Sequence, residues 1–116
     1  MNRIAPALAA LAFSSLALAD PVVDAFDAAL ASAKTTITLQ RACEVSIQSS
    51  DVKPCMEAST AHEDYERKTR HMLSIIGPPP DGLYQHVRPE QGAELVNLAN
   101  EIKASMDMLV KYTDPK

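Results

Sequence analysis

The residues best placed for chemistry are His62 and Glu66, which stand four positions apart in a segment with helical spacing. Side chains at this spacing share one face of a helix, where an imidazole and a carboxylate could hold a metal ion or exchange a proton. A zinc site needs a third convergent ligand, and His71 falls on the opposite face of the same helix. We therefore expect no metal and no other cofactor. The alternative, a small-ligand or metal carrier, would use His62 and Glu66, with Met72 as a further ligand.

Two short motifs have the residue types of a catalytic or a copper-binding site, but their expected geometry does not fit either. Ser50 and Lys53 match the S-x-x-K pattern of acyl-enzyme hydrolases, in which the serine begins a helix and the lysine follows one turn later. Pro54 directly after the lysine argues against that arrangement. Met106 and Met108 carry thioethers of the kind that bind Cu(I), but on a helix they point about 200° apart. The expected protein is therefore not an enzyme, and Met106 is expected in the core.

The beginning of the chain has the pattern of a secretory leader. Arg3 precedes an apolar run over residues 4–18, and Ala17-Leu18-Ala19 is the small-x-small motif that signal peptidase cleaves. The run is shorter than the about 20 apolar residues of a membrane-spanning helix. The prediction is a signal peptide over residues 1–19, a single helical domain over 20–116, and a periplasmic or secreted protein.

Cys43 and Cys55 are the only cysteines in the chain. In an oxidising compartment they pair with each other, unless the protein is joined to a second molecule. Their spacing is not the C-x-x-C of redox pairs. The predicted role is a structural disulfide, whose loop of about 13 residues contributes about 3 kcal/mol on a loop-entropy argument.

Composition limits the classes of partner. The 116-residue chain has 15 acidic and 11 basic residues, a net charge of −4, and no Trp. An acidic chain without a basic patch lacks the phosphate neutralisation on which nucleic-acid binding depends. No apolar stretch after the leader is long enough to span a membrane. The expected partner is an unidentified protein rather than a nucleic acid or a membrane.

The first helix is predicted to begin at Asp20, a capping residue followed by a proline suited to the first helical position. Its apolar stripe is expected to end after Ile37, because Gln40 would be the next member. This change coincides with a β-branched run over residues 34–38, where the helix either bends or begins to pack against a different neighbour. A short strand is the third alternative for this run, but the sequence offers it no partner strand. The two successive stripes are Val23, Phe26, Leu30, Ala33 and Ile37, then Leu39, Cys43 and Ile47.

Two further helices follow. The second is predicted from about Pro54 to Ile76, before Gly77 and a proline triplet, and the third from Pro89 to near Tyr112. Residues 83–88 between them are expected to form a loop or a single turn. The inner stripes are Cys55, Ala58, His62, Tyr65, Thr69, Leu73 and Ile76 on the second helix, and Leu95, Leu98, Ile102, Met106 and Leu109 on the third.

These elements predict an all-α fold with a small three-helix arrangement. An antiparallel helical hairpin is stapled by the Cys43–Cys55 disulfide, and a third, C-terminal helix covers its apolar groove. Several apolar residues fall outside the stripes and either form an exposed patch or pack under the loop: Leu83, Tyr84, Val87, Val96, Met108 and Tyr112.

The solvent side of the second helix is the candidate for partner binding. It carries three acid-to-base pairs at i, i+4, namely Glu63–Arg67, Asp64–Lys68 and Glu66–Arg70. Of these residues, Glu63, Arg67 and Arg70 are the predicted contacts. The chain is expected to be an exported, non-enzymatic protein that binds another protein, as an inhibitor, an immunity protein or an envelope accessory protein does.

Overall fold

The computed structural model confirms the all-α fold. It describes residues 20–77 and 82–113, with side chains as far as Lys111. The predicted leader and the proline triplet lie outside the described residues. The elements in chain order are α1 (Pro21–Ser46), a 3-10 turn (Ile47–Ser49), α2 (Lys53–Ile75), a second 3-10 turn (Leu83–Gln85) and α3 (Pro89–Thr113).

Helix α1 begins at the predicted cap. The Asp20 carboxylate accepts hydrogen bonds from the backbone N–H groups of Val22, at 2.9 Å, and Val23, at 3.4 Å. These amides have no carbonyl partner within the helix, so the aspartate stabilises the first turn. His86 Nδ1 lies 2.7 Å from the same carboxylate, which ties the segment before α3 to the beginning of α1.

The β-branched run leaves α1 unbroken. Both Thr36 and Thr38 donate their hydroxyls to the carbonyl four residues earlier, at 2.8 Å to Ser32 and 2.9 Å to Lys34. Because this bond satisfies the hydroxyl without displacing the helical backbone bonds, the threonines are accommodated in the helix. The structure therefore shows one continuous helix through this run.

Helix α1 is central, since α2 and α3 both pack on it while their backbones scarcely approach each other. Its buried face is accordingly broad and consists mostly of small residues around Phe26, which is fully buried. The buried residues of α1 are Val22, Ala25, Phe26, Ala29, Ser32, Ala33, Thr36, Ile37, Gln40 and Cys43.

The prediction that the buried stripe ends before Gln40 is wrong. Gln40 is only 1% exposed, and its Nε2 donates to the Met106 sulfur at 3.5 Å. A glutamine has an apolar stem and an uncharged amide, so its burial costs much less than that of a charged side chain.

Helices α2 and α3 each bury one narrow stripe. On α2, Ala58 and Met72 are buried and Tyr65, halfway between them, packs against the core. Leu73 was expected inside, but it is 57% exposed whereas Met72 is 4% exposed. One residue turns a helix by 100°, so when Met72 faces α1 its neighbour is directed to solvent.

The same seven-residue spacing recurs on α3, where Leu95, Ile102 and Leu109 are buried. Seven residues make almost two turns, so a stripe with this spacing stays on one side of a long helix. Met106 is only partly buried, and it borders a cleft described below. Among the described residues, no helix combines the length and the apolar character needed to cross a membrane.

The segment before α3 packs on the core. Val87 is buried, and Leu83 packs against the main core cluster. Tyr84 stays half exposed beside Gly92, where a Cβ would come within 2.8 Å of its ring. Val96 is exposed on α3. Of the apolar residues outside the stripes, Leu83 and Val87 therefore belong to the core and Tyr84 and Val96 to the surface. The side chain of Tyr112 lies outside the part of the chain that the structure describes.

The disulfide between Cys43 and Cys55 is present and joins the end of α1 to the beginning of α2. The chain reverses direction between these helices near Ser50, whose φ of 65° lies in the left-handed region. A small apolar cluster of Cys43, Ala58 and Leu109 surrounds the bridge. It is separate from the larger cluster around Phe26, so this end of the molecule depends most on the disulfide.

Replacing both cysteines by alanine should lower the free energy of unfolding by about 3 kcal/mol, because the open chain gains loop entropy. The melting temperature should fall by several degrees or more, which thermal unfolding followed by circular dichroism would measure. Adding reductant should lower the melting temperature of the natural protein and leave that of the variant unchanged. Two free thiols in the freshly isolated protein would contradict this prediction.

Candidate functional site

The outer face of α2 consists of Glu63, Arg67 and Arg70, all exposed. Their spacing of four and three residues places them on one side of the helix. That side is about 180° from the stripe that includes Ala58 and Met72. The packing of α2 on α1 therefore leaves the whole predicted binding face open to solvent.

The ion pairs on α2 centre on Asp64. Its carboxylate accepts hydrogen bonds from Arg67 Nη2 at 2.7 Å, Lys68 Nζ at 2.9 Å and Ser32 Oγ at 2.9 Å. The predicted Asp64–Lys68 pair is thus present, whereas Arg67 is drawn to Asp64 and not to Glu63. An aspartate three residues before an arginine is as close on the helix surface as a glutamate four before it.

The partners of Asp64 also lower its pKa. The hydrogen bond from Lys68 has the largest effect and that from Ser32 the next, and both hold the pKa below its ordinary value of 3.8. Ser32 belongs to α1, so the interaction fixes α2 against its neighbour at the edge of the outer face.

His62 and Glu66 do come together. Nδ1 of His62 lies 3.2 Å from Oε1 of Glu66, and the imidazole is mostly buried beside the Tyr65 ring. Glu66 thus pairs with the histidine in place of the predicted Arg70. Within the described residues, neither Glu63 nor Arg70 has an ion-pair partner.

Among the described residues, the structure brings no third ligand to this pair. Met72 is ten residues from His62, about 15 Å along the helix, and His86 is occupied with Asp20. In residues 20–77 and 82–113, no group of three His, Cys, Asp or Glu side chains is arranged to hold a metal ion. The pair is therefore a local contact on α2.

The other two motifs do not acquire the geometry of chemical sites. Ser50 lies in the turn before α2, which begins only at Lys53, and Asp51 accepts a hydrogen bond from the Lys53 backbone N–H at 3.1 Å. The serine is thus outside the helix that the S-x-x-K arrangement requires. Met106 and Met108 lie on different sides of α3, as predicted from their spacing.

Two exposed apolar residues, which the sequence analysis did not assign to the outer face, lie next to it. Met56 is 66% exposed and lies seven residues before Glu63, on the same side of α2. Leu73 is three residues after Arg70 and is directed to solvent for the reason given above. The position of Met56 on this side of α2 could be predicted from the helical spacing. That of Leu73 could not, because it depends on whether Met72 or Leu73 faces α1.

Comparisons with protein-family models, curated proteins and solved structures found no match to this chain.

Replacing Asp64 by Asn should destabilise the protein most near neutral pH. The folded pKa of Asp64 is lowered, so its ionised form contributes stability above the ordinary value of 3.8, and this contribution disappears as the pH falls through the folded pKa. The difference in melting temperature between the two proteins should therefore shrink below about pH 4. Thermal unfolding from pH 7 to pH 2.5 would measure it.

Asp107→Asn is the matched control, because Asp107 contacts Lys103 at i, i+4 on the exposed side of α3 and has no bond to another helix within residues 20–77 and 82–113. It should have little effect at any pH. An Asp64→Asn difference that stays constant with pH would contradict the prediction.

Proposed function

We propose that this protein is exported and acts, without catalysis, by binding another protein through the outer face of α2. Two classes of protein fit this proposal: an inhibitor or immunity protein of an exported toxin or enzyme, and an accessory subunit of an envelope complex. The predicted leader supports export, and so does the Cys43–Cys55 disulfide, because disulfides persist in oxidising compartments.

The observation that carries the proposal is the exposure of Glu63 and Arg70 without an ion-pair partner among the described residues. Charged groups in this state can bond to a partner without first breaking a bond within the protein. Arg67 is held by Asp64 but remains exposed. Because its guanidinium has five N–H donors, it can contact a second carboxylate as well.

Exposed apolar residues beside these charges add to the support. Arginine, methionine and aromatic residues are enriched at the centres of protein interfaces. Arginine is also common among the few residues that supply most of the binding free energy. Met56 and Leu73 lie next to the outer face at its two ends, with the arginines between them. A partner covering this face would bury apolar surface at both ends and meet charged groups in the middle.

Charge indicates the kind of partner. The chain carries a net charge of −4, so long-range attraction would favour a basic protein. The outer face itself has both signs, with Glu63 beside Arg67 and Arg70. A pattern of mixed sign specifies the orientation of the partner more than it raises the overall affinity.

The chain is expressed with its own leader, and the secreted, processed protein is immobilised on a resin. Passing envelope or secreted fractions of the source organism over this resin should retain a protein partner. We expect one partner in stoichiometric amount, identified by mass spectrometry. An empty capture with the disulfide intact would contradict the proposed function.

Reversing the charges of the outer face, by Glu63→Lys, Arg67→Glu and Arg70→Glu together, should weaken binding of the captured partner about tenfold or more. Helix content should stay the same, because all three side chains are exposed. Titration calorimetry and circular dichroism would measure the two quantities.

The matched control exchanges the charges of the exposed pair on α3, by Lys103→Glu and Asp107→Lys. This variant should bind like the natural protein. Unchanged affinity in the triple variant would remove the outer face from the proposed function.

A further inference from the structure

A cleft of about 310 Å³ opens between the beginning of α2 and the second half of α3. It exists because both helices pack on α1 while their backbones scarcely approach each other. Cys55 and Ala58 contribute to its α2 side, and Met106 and Leu109 to its α3 side. Gln40 of α1 lies between them, so a mostly apolar cleft, with Ser59 at its edge, contains one buried amide.

The Gln40 amide is only half satisfied. Its Nε2 donates to the sulfur of Met106 at 3.5 Å, and sulfur is a weak acceptor. Its Oε1 is buried and has no hydrogen-bond partner among the described residues. A buried polar atom that has lost water without gaining a partner is unfavourable and rare in folded proteins. Because Gln40 lines the cleft, a molecule in the cleft could supply the donor that this oxygen lacks.

Met106 provides the access. Its side chain is partly buried, lines the cleft and contacts the Gln40 amide. Methionine has three rotatable bonds and adapts to different packing partners at small cost. Rotation of Met106 would exchange its weak contact with Gln40 for a contact with a bound molecule and would open the amide to that molecule.

We propose that the cleft binds a small apolar molecule bearing a hydroxyl group. Its body would pack on the apolar walls, and its hydroxyl would donate to Oε1 of Gln40 and accept from Nε2 in place of Met106. The cleft volume lies at the lower end of the range for small-molecule sites, which are mostly apolar with a few placed polar groups. This binding site is distinct from the outer face of α2 and from the His62–Glu66 pair.

The test compares p-cresol with toluene, two probes that differ by one hydroxyl. Each is titrated into the full processed protein labelled with ¹³C at the methionine methyl groups, and binding is followed by NMR. We expect p-cresol to shift the Met106 signal in a saturable way and to bind about tenfold more tightly than toluene. Met72, which belongs to the other core cluster, should not respond. Equal affinity for the two probes, or no saturable shift of Met106, would overturn the proposal.

Gln40→Leu removes the amide and keeps the cleft apolar. It should abolish the preference for p-cresol while toluene still binds, and a preference that persists would overturn the role of Gln40. Val110→Trp is a second variant, at an exposed position that also lines the cleft, where the larger side chain would narrow the opening. This variant should weaken the binding of both probes. If both bind as before, they bind outside the cleft, and the proposal is overturned.

Discussion

The packing of two helices side by side on the one broad buried face of α1 is the constraint on which the rest of the structure depends. A helix flanked on two sides must bury a broad face, and that face can approach both neighbours only if most of its side chains are small. Ala25, Ala29 and Ala33 meet this requirement, and Phe26 fills the space at the centre. Helices α2 and α3 each face one neighbour, so each needs only a narrow stripe and keeps most of its surface open.

Polar residues on the buried face of α1 set the positions of its neighbours. Thr36 donates to the Ala61 carbonyl of α2 at 3.0 Å as well as within its own helix, and Ser32 donates to Asp64. On the other flank, Glu44 of α1 is hydrogen-bonded to Ser105 of α3. Apolar contacts alone tolerate sliding, whereas these bonds form at one register and are costly to leave unmade once buried. Gln40 differs from these residues because its Oε1 has no hydrogen-bond partner among the described residues.

Helix positions were predictable from the sequence because they depend on local chemistry. The Asp20 cap, the prolines and the spacing of Leu95, Ile102 and Leu109 act within a few residues. The predicted beginning of the first helix and both predicted ends of the second and third helices therefore lie within one residue of the observed ones. The disulfide followed from there being only two cysteines. None of these features requires knowledge of the neighbouring helix.

What the sequence could not supply depends on contacts between helices. Burial of Gln40 requires Met106, which is far away in the chain, and the choice of Met72 over Leu73 requires the rotation of α2 against α1. At the outer face, Glu63, Arg67 and Arg70 were predictable as exposed residues. Their actual pairing was not, because Asp64 is fixed by Ser32 of another helix and so becomes the partner of Arg67.

The two proposed binding surfaces share an edge, which links them physically. Ser59 lines the cleft and lies one turn before Glu63, on nearly the same side of α2. A protein that covers the outer face as far as Met56 would therefore reach the opening of the cleft. If it closes that opening, bound partner and bound small molecule must change each other's affinity by the same factor, because coupling between two sites is reciprocal. Because α1 is central, one side of α2 stays exposed. That exposed side allows the two binding sites to lie close enough to be coupled, even in a small domain.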